Sequence, residues 1–388
     1  MKNSLKLIIF NIFVFIFLVI LIELIFGNWV KNKNFGFSVR ELRNVNIPMS
    51  VKYDQKKFDY NFKRNSYGFI GEEVNPKNIK IVFMGGSTGE EMFKPYKYSI
   101  VGLLNNKFEE DEINVKITNA SKGGKTTRGY VNDFLYWFPK IKNFNPKTYI
   151  FYTGLNDSSL SLPDHYDEIV KVNIKDKLED YIKNNSIFYE LKKKIEFKYF
   201  SKIRKYYGLE DQKLYYNYEL VNYKTAKLKF SKKKINEEKL IKINNFSKNL
   251  KNLKYIIDKR KINPIFITQI QYDGLNNHSL FLINEYLKEF CKKNNYKIIK
   301  LDEMNFKLDN KDFYDHVHTT IRGSEKITNL IYSDLKEYLE IKNWGNLCQK
   351  DTVENHSKIR VLKKNQNSHL KKKENLKEKS TKNQINLN

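Results

Sequence analysis

A chain of 388 residues suits one large domain or two small ones, and 40% hydrophobic with 14% aromatic residues is the content of a folded protein. Against 44 acidic residues stand 71 basic ones, a net charge of +27, which raises nucleic acid, anionic lipid and glycan as partners. Lysine far outnumbers arginine, whose fork is the better phosphate reader, so the charge is taken as compositional drift and no nucleic acid is expected. The two cysteines, Cys291 and Cys348, form no C-x-x-C pair, and neither a disulfide framework nor a zinc knuckle is implied.

The chain begins MKNSLK and continues with the apolar run LIIFNIFVFIFLVILIELIF over 7–26, a length that matches the hydrocarbon core of a bilayer. Asn11 and Glu23 interrupt it near its ends, where the cost is smaller. No small-x-small cleavage site follows, so residues 1–30 are expected to be a retained single-pass transmembrane anchor in the lipid bilayer, with Trp29 in the interfacial belt. Lys2 and Lys6 precede the span, and Lys31, Lys33, Arg40 and Arg43 follow it; strictly counted, the positive-inside rule favours a cytoplasmic domain. Long domains translocate regardless of such counts, and the expected placement is extracytoplasmic, on the periplasmic side, with the orientation left open.

Residues 31–78 read as a linker or leading segment. From 79 to 345 the pattern is α/β. KIVFMG (80–85), INVKIT (113–118), KTYIFYTG (147–154), PIFITQI (264–270) and YKIIKLD (296–302) are predicted strands. YSIVGLLNNKF (98–108), TTRGYVNDFLYWF (126–138), SLFLINEYLKEFCKKN (279–294) and ITNLIYSDLKEYLEI (327–341) are predicted helices. This alternation predicts a three-layer α/β/α sandwich around a parallel sheet. Residues 158–262 interrupt it as a largely helical insertion. One stripe there runs Phe188, Leu191, Ile195 and Tyr199; a longer one, Leu240, Ile243, Phe246, Leu250, Leu253 and Ile257, is expected to cover the sheet. Residues 346–388 are Lys-, Asn-, Gln- and Ser-rich and are expected to form a disordered basic tail.

Four stretches fall at the C-terminal ends of predicted strands, where open α/β sheets build their sites. They are GGST (85–88), NASKGGKTT (119–127), GLND (154–157) and DHVH (315–318). Each has an ordinary reading by itself. Ser87 could be an N-cap, GLND a turn, and DHVH a turn or an H-x-H metal pair aided by Asp312 or Asp302. NASKGGKTT places Gly124-Lys125-Thr126 as the end of a P-loop does, with Asn119 where the first glycine belongs. On that reading the chain binds a nucleotide and KIIKLD is the carboxylate strand. A non-catalytic membrane scaffold is a further alternative.

Taken in order, the four stretches resemble the Ser, Gly, G-x-N-D and D-x-x-H blocks of the SGNH (GDSL-type) hydrolase and acyltransferase superfamily. The N-terminal span followed by NSYGFIGEE (65–73) looks like its membrane-anchored branch. The resemblance covers roughly 80–340, less the insertion, and implies the flavodoxin-like SGNH fold. It also implies a serine esterase, or an O-acyltransferase on a cell-envelope glycan, acting on O-acyl and foremost O-acetyl groups of a glycan or lipid substrate. Ser87 would be the nucleophile, His318 the base and Asp315 its orienting acid, with Ser87, Gly124 and Asn156 forming the oxyanion hole and Gly123 as fallback for Gly124. His316 would face elsewhere and Asp157 would brace its turn. No cofactor and no metal is expected. The departure is Gly86, which stands where the family's Gly-Asp-Ser-Leu block has aspartate.

Overall fold

The structure is a computed structural model that describes residues 2–30, 43–53, 56–159, 174–196, 204–206, 220–304 and 308–341. In chain order the elements that matter here are α1 (Lys2–Phe26), β1 (Val45–Tyr53), β2 (Lys56–Arg64), β3 (Ile81–Gly85), α2 (Ser87–Glu90), α3 (Ile100–Glu110), β4 (Ile117–Asn119), α4 (Thr127–Asn132), β5 (Thr148–Tyr152) and α5 (Leu155–Ser159). They continue with α6 (Ile174–Asn185), α7 (Ile187–Ile195), β6 (Arg204–Tyr206), α8 (Tyr223–Ser231), α9 (Glu237–Arg260), β7 (Asn263–Ile267), α10 (His278–Asn294), β8 (Lys297–Ile299) and α11 (Ile321–Ile341). The predicted tail, Cys348 and Tyr199 lie outside the described residues.

Five strands form a sheet in the order β4-β3-β5-β7-β8, every neighbouring pair parallel. Numbered among themselves, these strands run 2-1-3-4-5, the flavodoxin-like order, whose switch point lies between the first and third strands, here β3 and β5. The short apolar runs behave as strands buried on both faces must. Val82, Met84, Tyr149, Phe151 and Phe266 point into a core with Tyr130 and Phe134 from the segment after β4, Phe246, Leu250 and Leu253 of α9, and Ile283 and Leu287 of α10. Their alternates along the strands, Ile81, Phe83, Ile150, Ile265 and Ile267, are equally buried and by strand periodicity face the other side. Helices on both faces give the three layers.

The chain divides into two compact units, residues 1–107 with 116–332, and residues 108–115 with 333–388. In the second, Lys336 Nζ pairs with Asp111 at 2.7 Å.

Several boundaries differ from expectation. The strand at INVKIT contracts to Ile117–Asn119, because the Asn105 side chain takes both the N–H and the C=O of Ile117 and Val115 N–H turns back to Ile113. The helix after β4 ends at Asn132 and passes into a π-helical turn over Asp133–Trp137. In the long apolar stripe, Leu240 is exposed and the buried part starts with Phe246, with Ile243 half-buried against it.

The larger correction concerns residues 31–78. Instead of a plain linker, they contain the antiparallel hairpin β1–β2, paired from Val45 with Arg64 to Tyr53 with Lys56. The strand β6, from the largely helical insertion, adds to β1 in parallel. Alternate residues Phe58, Tyr60 and Phe62 of β2 turn to one face and pack with β1 against Met92 and Phe93, which follow α2, and against Tyr314. Tyr60 Oη donates to the Met92 carbonyl at 2.7 Å, and Tyr53 Oη to that of Phe93.

Candidate functional site

The loops following β3, β4 and β5 open at the switch point, and each carries one of the four stretches. After β3 the chain turns through Gly86, the N-cap of α2, which has no side chain to cap with. Ser87 is therefore the first helical residue and not the cap, and it is half-buried. Gly86 has a specific reason to be glycine: a Cβ there would lie 2.3 Å from Asn156 Nδ2. An aspartate there, as in the GDSL pattern, would collide with that amide.

The NASKGGKTT loop is a turn closed by Lys125 N–H donating to the Lys122 carbonyl at 3.2 Å. Gly124 is its third residue at φ +74°, the left-handed position a type II turn reserves for glycine. The Gly123 amide is already used: it donates to Glu90 Oε2 at 2.7 Å. Among the described residues, the Gly124 N–H of this turn has no such partner. Lys125 points inward, only 4% exposed, with Nζ 2.6 Å from Asp133 Oδ2, 3.1 Å from the Ala120 carbonyl and over the Trp137 ring. A P-loop lysine must reach the β- and γ-phosphates; this one is an anchor in the core.

After β5, Gly154 (φ +121°) turns the chain into α5. Asn156 Nδ2 donates one hydrogen to the Lys125 carbonyl at 2.9 Å, which orients the amide and leaves its second hydrogen. Asp157 receives the Thr127 N–H and hydroxyl, so it joins the second and third loops. Gln269, just beyond β7, ties the first and third: its Nε2 donates to Thr88 Oγ1 and its Oε1 accepts from Leu155 N–H, both at 2.8 Å.

The fourth stretch lies just before α11. Asp315 Oδ1 accepts the backbone N–H groups of Val317 (2.8 Å) and His318 (2.7 Å), which folds the segment into a tight turn. Its Oδ2 lies 2.6 Å from His318 Nδ1, and the imidazole stacks on Tyr314 at 5.5 Å and 9°. Burial works to raise the Asp315 carboxyl, but the His318 ring and the two amides outweigh it and hold the carboxyl below its usual range. His316 instead lies against Tyr272. Asp312 is paired with Arg322 and Lys326, and Asp302 with Lys288, each at 2.7 Å, so neither carboxylate is offered to the two histidines as a metal ligand.

Two buried ion pairs join these loops. Glu91, directly after α2, and Lys94 meet at 2.8 Å. Lys94 Nζ also donates to the Thr319 carbonyl (2.5 Å) and to Ser324 Oγ (2.6 Å), while Glu91 Oε1 accepts from Ser324 Oγ (2.6 Å) and Thr319 Oγ1 (3.2 Å). The residue next to His318 is thereby bound to the end of the helix that Ser87 begins. Burial pushes the Lys94 ammonium below its ordinary value, while Glu91 and, farther off, Asp315 pull it back up. In the second pair, Arg64 at the end of β2 reaches Glu90 (2.6 Å) and the Ser121 carbonyl (2.7 Å), and Glu90 in turn holds Gly123.

Ser87, Gly124, Asn156 and His318 thus belong to loops bonded to one another. Among the described residues, no hydrogen bond joins Ser87 Oγ to His318, and the free ring atom is Nε2. The sequence reading missed Arg64, Glu90, Glu91, Lys94, Thr319, Ser324 and Gln269. Its one available signal was local: Glu90-Glu91 and Lys94 directly after the Ser block.

No family model matches the chain, and no curated protein matches it significantly. Solved structures similar to it include the psychrotrophic esterase EstA from Pseudoalteromonas sp. inhibited by monoethylphosphonate, at 11% identity and TM-score 0.38, covering 68% of this chain and 100% of that one. A putative lipolytic protein of the G-D-S-L family from Desulfitobacterium hafniense is similar at 12% identity and TM-score 0.37, covering 66% and 99%. The acetyl xylan esterase AlAXEase is similar at 12% identity and TM-score 0.36, again covering 66% and 99%. Likeness at this level does not decide a reaction.

Proposed function

We propose that the chain is a membrane-anchored serine esterase of the SGNH type, acting on O-acyl, foremost O-acetyl, esters of a carbohydrate or lipid. The observation that carries this reading is the tether between the loops. The Asp315–His318 pair immediately precedes Thr319, which is bonded to Glu91 and Lys94 at the end of the helix headed by Ser87.

In this mechanism Ser87 Oγ attacks the ester carbonyl carbon as His318 Nε2 takes its proton. Asp315 holds Nδ1–H, which fixes the tautomer and stabilises the imidazolium. The charge developing on the carbonyl oxygen is met by the N–H groups of Ser87 and Gly124 and by the second Nδ2 hydrogen of Asn156. The tetrahedral intermediate collapses, the C–O bond to the alcohol breaks, and His318 returns its proton to the departing oxygen. A water molecule, or a sugar hydroxyl in the acyltransferase variant, then attacks the acyl-Ser87 ester by the same route and regenerates the serine.

Covalent labelling tests the assignment. A fluorophosphonate incubated with the full chain is expected to modify Ser87, located by peptide mapping, and His318→Ala is expected to abolish labelling without shifting thermal unfolding. An adduct on another serine, or undiminished labelling of a folded His318→Ala protein, overturns the site. Turnover of a small aryl acetate in water alone assigns hydrolysis, and turnover that waits for an added glycan hydroxyl assigns transfer.

A further inference from the structure

The helices α6 and α7 invert the usual partition of side chains. Along α6, Leu178, Tyr181 and Ile182 are 59%, 46% and 45% exposed; along α7, Phe188, Leu191 and Ile195 are 40%, 50% and 42% exposed. Their spacings of three and four residues put each set on one helix face. Lysines 192, 193 and 194 sit beside the α7 stripe, two of them in i,i+4 pairs with Glu196 and Glu190.

The corner between these helices is bonded to the end of α1. Glu23 of α1 accepts from Ser186 Oγ, the N-cap of α7, and from Ile187 N–H at 3.0 Å, so its carboxylate sits on the positive end of that helix. Asn28 N–H donates to the Asn185 carbonyl at 2.8 Å. Trp29 donates Nε1–H to Glu23 at 2.9 Å and packs edge-on against Tyr181 at 5.6 Å.

The stretch Leu5–Phe26 is long and apolar enough to cross a membrane, and none of it is buried inside the protein. Its 22 residues extend roughly 33 Å at ~1.5 Å per residue, about one hydrocarbon core. Glu23 and Trp29 then fall at the bilayer surface, the depth where tryptophan and tyrosine collect. Whatever is bonded to Glu23 is held at that depth.

We infer that the α6–α7 corner is a second membrane contact: it lies in the plane of the bilayer in which α1 is anchored, with Leu178, Ile182, Phe188, Leu191 and Ile195 in the headgroup–acyl boundary and the lysines among the headgroups. This rests on α1 spanning the bilayer. The apolar stripes and flanking lysines are what an interfacial helix needs, and the Glu23 bonds supply the position. The catalytic unit would then be held against the membrane surface by two points, which restricts its substrates to esters that reach that surface.

The test uses the full chain carrying Cys348→Ser, in which the remaining native thiol, Cys291, is buried. A fluorophore is placed at Leu191→Cys or, on the flank of the same helix, at Glu196→Cys, and the protein is reconstituted into phosphatidylcholine vesicles with and without brominated acyl chains. The expected result is several-fold stronger quenching at 191 than at 196, lost when Glu23→Ala is added while α1 stays integrated. Equal, weak quenching at both positions in integrated protein overturns the contact and leaves the anchor intact. Protein that washes off the vesicles in carbonate overturns the anchor and the contact together, yet fluorophosphonate labelling of Ser87 would still stand on its own.

Discussion

The tether behind Ser87 and the α6–α7 corner are opposite violations of the same rule. Around Glu91 and Lys94, charges that belong in water lie inside, at 4% and 2% exposure. Along α6 and α7, apolar side chains that belong inside lie in the open. Each costs free energy unless a partner removes the cost. In the first region the partner is within the chain, since each charge meets the other and several hydroxyl and carbonyl groups. In the second the described residues offer none, and that role falls, as proposed, to the lipid surface next to α1. The difference separates a structural inversion, which fixes geometry, from an interaction surface, which needs a second phase.

The sharpest way to break the first half is Lys94→Met. Removing one member of a buried, hydrogen-bonded pair leaves the other charge uncompensated, at a typical cost of about 3–5 kcal/mol. Chemical denaturation should register that loss. The double variant Glu91→Gln/Lys94→Met, with no buried charge left over, should recover most of it. Because the same groups hold Thr319, esterase turnover in the double variant should stay low even as stability returns. Full recovery of turnover would mean that the tether does not position His318.

A smaller effect is expected at Asn156. Here the buried network's purpose is tested at its product, the oriented amide. If Asn156 donates to the oxyanion as proposed, Asn156→Ala should lower kcat by on the order of 100-fold or more with little change in KM. Gly86→Ala should do much the same by displacement, since the new Cβ would stand 2.3 Å from Nδ2. If Gly86→Ala turns over normally, Asn156 is not held where the oxyanion forms.

How much of this was legible in the sequence follows from the range of the interactions. Strands β3, β5 and β7 were plain because a strand buried on both faces reads as a continuous apolar run. Three of the four loops were legible because each lies within a few residues of a strand end; DHVH, well past the end of β8, was legible only by its D-x-x-H spacing. The hairpin β1–β2 was missed although Phe58, Tyr60 and Phe62 alternate correctly: the lysines, Asp59 and Asn61 between them lower the local hydrophobicity to that of a linker. The tether could not be read at all, since Lys94 finds Thr319 and Ser324 across 225 and 230 positions. The exposed stripe on α7 was visible as a stripe, yet sequence alone does not say whether an apolar face meets protein, lipid or water. That had to come from Glu23, which is bonded 163 positions away.

The smallest effect sharpens the comparison with a third case, a buried titratable group that lacks a partner. His278 is 5% exposed, stacks on Phe230 at 4.5 Å, and neither ring nitrogen has a hydrogen bond among the described residues. Burial, reinforced by Lys239 and Lys233, lowers its pKa from 6.5. Above that value the ring is neutral in both folded and unfolded chains, and the site contributes no pH dependence. As pH falls through it, the unfolded chain takes up the proton first, so folding stability declines until the folded pKa is reached and then levels off. Lys94 meets Glu91 inside, whereas neither ring nitrogen of His278 has a partner among the described residues. His278→Phe, which keeps the ring stack and removes the proton site, should therefore flatten part of the stability loss that sets in as pH falls below about 6.5. An unchanged acid slope in that variant would show that His278 finds a partner or opens to water as it charges.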